Sequence, residues 1–203
     1  MPFPLFAHQA PAIPLKMARP AWFDGTALCV GSMAPDLGYS ITSYVHLGTH
    51  EGGGILAISI PVAIVLTLVA RFASSTTVAN LPDFGPFRLW SWRALGTRWP
   101  AWWLTFSSAV VGVGTHLLLD GFTHGRSWGP RIFGYRDVHI AFHGHHLTVA
   151  ETLQYAGDVV GAVISVLLLL HIGRRRLVEQ WYGAKVVADA RRFSVSRRDR
   201  LIF

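Results

Sequence analysis

Val159-Val-Gly-Ala-Val-Ile-Ser-Val-Leu-Leu-Leu-Leu170 runs twelve residues without a charge, and Arg174-Arg175-Arg176 follows almost at once. An apolar core closed by a basic block is the pattern of a helix that crosses a bilayer and stops at its surface. With its flanks, the stretch reads as a spanning helix over Tyr155 to Gly173. Two upstream stretches repeat the pattern. Ala101 to Leu119 is headed by Trp90, Trp92, Trp99, Trp102 and Trp103, five of the eight tryptophans, placed as an interfacial belt. Gly112 and Gly114 on this helix allow a partner helix to approach closely. Ile55 to Ala70 is sixteen residues without a charge; Arg71 can snorkel to the interface. Pro61 is tolerated where neighbouring helices satisfy the freed carbonyl. The sequence therefore predicts an all-α integral membrane helical bundle with at least three transmembrane helices. Residues 1–176 form one membrane-embedded domain, and 177–203 form a basic amphipathic tail.

Composition agrees. Hydrophobic residues make up 51% and charged residues 14%, against roughly 25% charged in soluble domains. A net charge of +7 would normally point to nucleic acid. Position argues otherwise: nine of the eighteen Lys and Arg residues lie after Gly173, directly behind an apolar run, as an anchor on an anionic leaflet. The partner is thus the lipid bilayer and not nucleic acid. The single cysteine, Cys29, allows neither an intramolecular disulfide nor a Cys-based zinc cage, and reads as a small packed hydrophobe. Met-Pro-Phe-Pro lacks the basic region and apolar core of a signal peptide, so insertion rests on the internal segments.

A fourth segment, Ala21 to Ala34, is apolar but short and carries Asp24; it reads as a re-entrant, buried or interfacial helix. Ser74 to Pro100, with Pro82 and Pro86, reads as a cytoplasmic loop. The segment after Arg174, with Leu177, Trp181, Val186 and Val187 among basic residues, suits an amphipathic helix on a leaflet. With three spans, the Arg71 to Pro100 loop and the tail share one side and hold thirteen Lys and Arg, against five on the other. The positive-inside rule then places the C-terminal tail of this multi-pass protein in the cytoplasm.

Eight of the ten histidines, all but His8 and His171, fall on the opposite side or at that end of the second span, interleaved with carboxylates. His116-x-x-x-Asp120-x-x-x-His124 places its residues one helical turn apart on one face, with His124 included if the helix continues past Gly121. Imidazole and carboxylate are ligands that zinc or manganese accept; a His–Asp hydrogen bond closing two helices is the other reading. Asp36, presented by Pro35 beyond an apolar helix, and His50 could complete a metal site, or be a turn residue and a loop histidine. His8 joins them only if Ala21 to Ala34 does not cross the membrane. His139, His143, His145 and His146 recur at helical spacings and read as solvated. Asp158, one turn into the third span, is an intramembrane carboxylate or a water-exposed one near the interface.

Met-Pro-Phe with His8 nearby, Gly31-Ser32-Met33-Ala34-Pro35-Asp36, His50 and His116-Leu-Leu-Leu-Asp120-Gly-Phe-Thr-His124 resemble an uncharacterised bacterial membrane family, the domain-of-unknown-function type numbered 4184. The resemblance covers most of the chain up to about Arg176. That family is similar to bacterial membrane-bound metal-dependent hydrolases. Both share with zinc-dependent phospholipase C an early His, an Asp, a His about fourteen residues on, and His-x-x-x-Asp. The resemblance implies His8, Asp36, His50, His116, Asp120 and His124 as metal ligands. No His-x-x-x-Glu completes a third position, so at most two metals are implied; Tyr155 stands after Gln154 where the family often has a His.

The leading expectation is a hydrolase using a divalent metal, zinc or manganese, to cut a phosphoester in a lipid or envelope metabolite. The alternative is a non-catalytic membrane protein in which the same residues hold a structural metal or a hydrogen-bond network. A metal or proton carrier using Asp158, His116 and Asp120 ranks last, because the broken-helix pairs and repeats of secondary transporters are absent.

Overall fold

The computed structural model describes residues 4–37, 49–50, 52–81, 84–142 and 145–192, so His46 and His143 lie outside the described residues. The chain is mostly helical. Three helical stretches are long and apolar enough to cross a membrane: Gly52–Val78, Trp102–Thr123 and Val149–Arg174, with mean hydropathies of 2.4, 1.3 and 2.0. These bounds contain two of the stretches read from the sequence and all of the third but Ala101.

The N-terminal segment forms a helical hairpin set against the long helices. Helices α1 (Pro4–Ala7) and α2 (Gln9–Ala18) run one way and α3 (Gly25–Gly31) returns. Lys16 Nζ clamps the turn between them, donating to the Pro20 and Phe23 carbonyls at 2.7 and 2.8 Å. Asp24 starts α3 as its N-cap, accepting from the backbone N–H groups of Thr26 and Ala27. The chain then turns through Ser32-Met33 into α4 (Ala34–Leu37). Pro35 therefore opens a helical turn, where its missing N–H costs nothing, and does not end α3.

The first long stretch begins with α5 (Gly52–Gly54), passes through a π-helical turn at Ile55–Ser59 and continues as α6 (Ile60–Asn80). The π turn explains how Pro61 is accommodated. Its ring would crowd the carbonyl four residues back, and widening the turn, with Ile60 N–H bonding to Ile55 O, relieves the ladder there. After 3-10 segments at Gly85–Phe87 and Leu89–Gly96 come α7 (Trp102–Thr123) and α8 (Trp128–Ile132). Strands β1 (His139–Phe142) and β2 (His145–Thr148) then lead into α9 (Val149–Arg174), α10 (Leu177–Tyr182) and α11 (Ala184–Arg192).

Helix α3 packs against α6 and α7. A Cβ on Gly112 would overlap the Leu28 carbonyl oxygen, so the glycine is what lets the two backbones meet. Gly114 has nothing within 4 Å of such a Cβ and plays no such part.

Four expectations need correction. Arg71 does not snorkel: it is 1% exposed and its guanidinium meets Asp24 at 2.6 Å. His139, His145 and His146 are not on a helix. Thr148 and Glu151 form a capping box that starts α9 at Val149, and the residues before it pair as an antiparallel hairpin with Phe142 opposite His145. Ser74 to Pro100 is not an open loop, since α6 runs to Asn80 and Leu89–Gly96 packs on α6 and α11. Among the described residues after Arg174, apolar side chains turn inward: Val178, Tyr182 and Val187 are buried with Ile13, Ala94 and Ile172. Glu179 binds Arg88 at 2.6 Å across the same contact.

Candidate metal centre

Helix α7 buries one face, with Ser108, Gly112, His116 and Asp120 at four-residue intervals. The face that seats α3 therefore also presents the imidazole and carboxylate one turn apart, 0% and 8% exposed. Because α3 lies on that face, the Ser32 carbonyl reaches His116 Nδ1 at 2.9 Å, and α4 delivers Asp36 one turn later. His50 arrives from the segment ahead of α5, where Ser59 Oγ donates to the Thr49 carbonyl at 2.8 Å. His8 is set by α1 on α9: Gly161 leaves room for Ala7, and Ser165 Oγ donates to the Phe6 carbonyl at 2.8 Å.

Asp36, His50, His116 and Asp120 thereby form a group that could hold a metal ion, their donor atoms all within 4.8 Å of one another. His116 Nε2 is 3.1 Å from Asp120 Oδ2, 3.6 Å from Asp36 Oδ1 and 3.2 Å from His50 Nε2. His50 Nε2 is 3.4 Å from Asp120 Oδ2 and 3.7 Å from Asp36 Oδ1. A carbonyl only accepts, so His116 Nδ1 carries a proton to Ser32; a neutral ring then points a bare Nε2 lone pair at two carboxylate oxygens. His50 Nε2, 3.2 Å away, can donate into this set of acceptors, and a metal ion could take the same place. His50 is oriented in the same sense, its Nδ1 held by Thr49 Oγ1 at 3.2 Å.

The other two oxygens serve a second group. Asp36 Oδ2 lies 3.5 Å from His8 Nε2, and Asp120 Oδ1 lies 3.8 Å from His8 Nε2 and 3.7 Å from His124 Nδ1. Each carboxylate thus turns one oxygen to His50 and His116 and the other toward His8. Asp36 Oδ2 is buried without a hydrogen-bond partner, which fits a donor meant for an ion. His124 caps the end of α7 and is the most exposed of the six at 38% of its side chain.

Electrostatics separate the two imidazoles outside the long helices. Burial, then the neighbouring His116 ring, push His8 down to about 4, so it is neutral and ready to bind. At His50 burial opposes the charged form, but hydrogen bonds and charge from Asp120 and Asp36 outweigh it and hold the ring up to about 9. A metal ion must displace that proton. Bound zinc measured after equilibration at pH 6 should therefore be lower than at pH 8.5, affinity rising toward about 9. Affinity independent of pH across that window would remove His50 from the ligand set.

His8 and Asp120 also border a cavity of about 230 Å3 whose opposite wall is Gln154 and Asp158 on α9, with Thr123 at its edge. Asp158 is half-buried there, not set out in open water. His139 and His146 are solvent-exposed on the hairpin, and among the described residues they do not join the group.

Sequence reading did not find Ser32 and Thr49, the groups that orient His116 and His50; no local pattern marks a backbone carbonyl or a lone threonine. It also missed the pairing of Asp24 with Arg71, although Asp24-Gly25-Thr26 ahead of an apolar run is an N-cap signal. No curated protein and no solved structure is detectably similar to the chain. Residues 1–198 match the family described as Domain of unknown function (DUF4184), and the chain belongs to that family.

Proposed function

We propose that this chain is a multi-pass protein of the bacterial inner membrane that hydrolyses a phosphoester in a lipid or envelope metabolite, using divalent metal held by Asp36, His50, His116 and Asp120, with His8 and His124 completing a second position. The observation that carries the reading is the split use of two carboxylates, Asp36 and Asp120, between two sets of imidazoles. A bound zinc or manganese ion supplies Lewis-acid charge and an acidified water. The chain's own residues hold and orient: Ser32 and Thr49 fix the two rings, and the wall of Gln154 and Asp158 leaves room beside the site for a substrate.

Support for membrane insertion comes from the helices. Only 22%, 28% and 22% of the three apolar windows is buried inside the protein. Val159, Leu167, Leu118 and Phe72 lie more than half exposed on them, a surface that suits hydrocarbon and not water. The charge bias sets the tail in the cytoplasm. A reporter fused after Phe203 that works only outside the cytoplasm should be silent; strong activity would invert the orientation and move the site inside.

The test of function is metal analysis of detergent-purified protein alongside phosphoester turnover. One or two divalent ions per chain are expected, with turnover lost on chelation and restored by zinc or manganese. Protein that neither retains nor takes up metal would sink the reading. Metal without turnover would favour the non-catalytic alternative.

A further inference from the structure

A second cavity, of about 300 Å3, lies between the helical hairpin and α9, α10 and the Leu89–Gly96 segment. Its lining on α2 is Gln9, Ile13 and Lys16, and on α3 Thr26, Cys29 and Val30, with Met33 just beyond. Those positions recur at three- and four-residue intervals, so each helix contributes one continuous stripe. The groove between the stripes runs about 10 Å along α2, from Gln9 to Lys16. Leu169 of α9 and Trp181 of α10 close its side.

Three features identify what it would take. Protein interiors hold few voids larger than a water molecule, and apolar voids of about 150 Å3 already stay dry and admit apolar ligands. The polar groups at its ends are satisfied internally: Gln9 Nε2 contacts Met33 Sδ at 2.9 Å, and Lys16 Nζ is held by the Pro20 and Phe23 carbonyls. The walls between are mostly apolar, with Thr26 Oγ1 buried without a partner among them, so a polar ligand would go largely unpaired along its length. Finally, the upper end is set by Gln9, adjacent to His8, and Met33, three residues before Asp36. The Gln9–Met33 end of the groove is thus the end nearest along the chain to the site residues.

We propose that this cavity binds the hydrocarbon chain of a single-chain amphiphile whose phosphate end is held at the metal centre. The proposal deepens the hydrolase reading by naming the substrate class, a lipid-like phosphoester, and rests on that reading only for the placement of the phosphate end.

The probe is dodecyl phosphate carrying a photoreactive diazirine near the chain terminus, added to metal-loaded protein in detergent. Peptide mapping should place adducts on Ile13, Cys29, Leu169 or Trp181. Adducts confined to outward-facing Val159, Val163 and Leu167, as bulk hydrophobic contact would give, overturn the proposal. Chelation should lower the cavity adducts several-fold; an unchanged yield would overturn the link between cavity and metal centre. Ile13→Trp, which fills the groove, should cut cavity adducts at least tenfold; Cys29→Phe serves if the first variant fails to insert. Cross-linking needs no turnover, so the two readings fail separately. Cavity adducts without phosphoester cleavage keep the cavity and sink the hydrolase; cleavage of soluble bis(4-nitrophenyl) phosphate without cavity adducts does the reverse.

Discussion

Asp120→Asn should strip the protein of bound metal and abolish phosphoester turnover while the chain still inserts and folds. The amide keeps the size of the side chain but removes the charge that both imidazole groups face, His50 and His116 on one oxygen, His8 and His124 on the other. Losing an outer partner of a metal ligand typically costs roughly 10–100-fold in affinity or activity; loss of a carboxylate shared by two groups should exceed that. Metal content, melting temperature and turnover on the same preparations separate the readings. In a hydrolase the first and third collapse and the second moves little. In a structural site the melting temperature falls too, because lost metal binding is lost folding free energy. A variant that keeps its metal, its stability and its activity would make Asp120 a bystander.

Asp24→Ala should destabilise the protein by about 3–5 kcal/mol, the usual cost of leaving one member of a buried ion pair alone. Asp24 and Arg71 are each 1% exposed. One carboxylate oxygen takes the guanidinium and the α3 cap, and the other accepts from Thr105 Oγ1 at 2.7 Å. Replacing both charged residues with apolar ones of similar volume, as in Asp24→Leu with Arg71→Met, should recover much of the loss. The effect should also reach the metal centre, because α3 carries Ser32 and leads into Asp36. Thermal unfolding in detergent with metal retention is the measurement; an unchanged midpoint in Asp24→Ala would mean that the pair is not what seats α3.

Much of the candidate site was legible because its residues sit at helical spacing or beside helix breaks. His116 and Asp120 share a face by periodicity alone, and Pro35 flags the turn that carries Asp36. Arg71 was misread for a physical reason: an arginine at the end of an apolar run looks the same in sequence whether it escapes to the surface or turns inward to a carboxylate forty-seven positions away. The histidine-rich stretch was misread because four-residue spacing does not say where a helix begins; the Thr148–Glu151 box does.

The sequence by itself determined the helical character, the three apolar stretches and the set of side chains able to bind metal, because periodicity, hydropathy and ligand chemistry are local properties. Tertiary structure alone decided that four of those side chains meet within 4.8 Å, that two carboxylates divide between two imidazole groups, and that an apolar groove lies between the helical hairpin and α9 and α10. Those features depend on α3 lying against Gly112 and α1 against Gly161, contacts between segments more than eighty residues apart, and no window along the chain contains both partners.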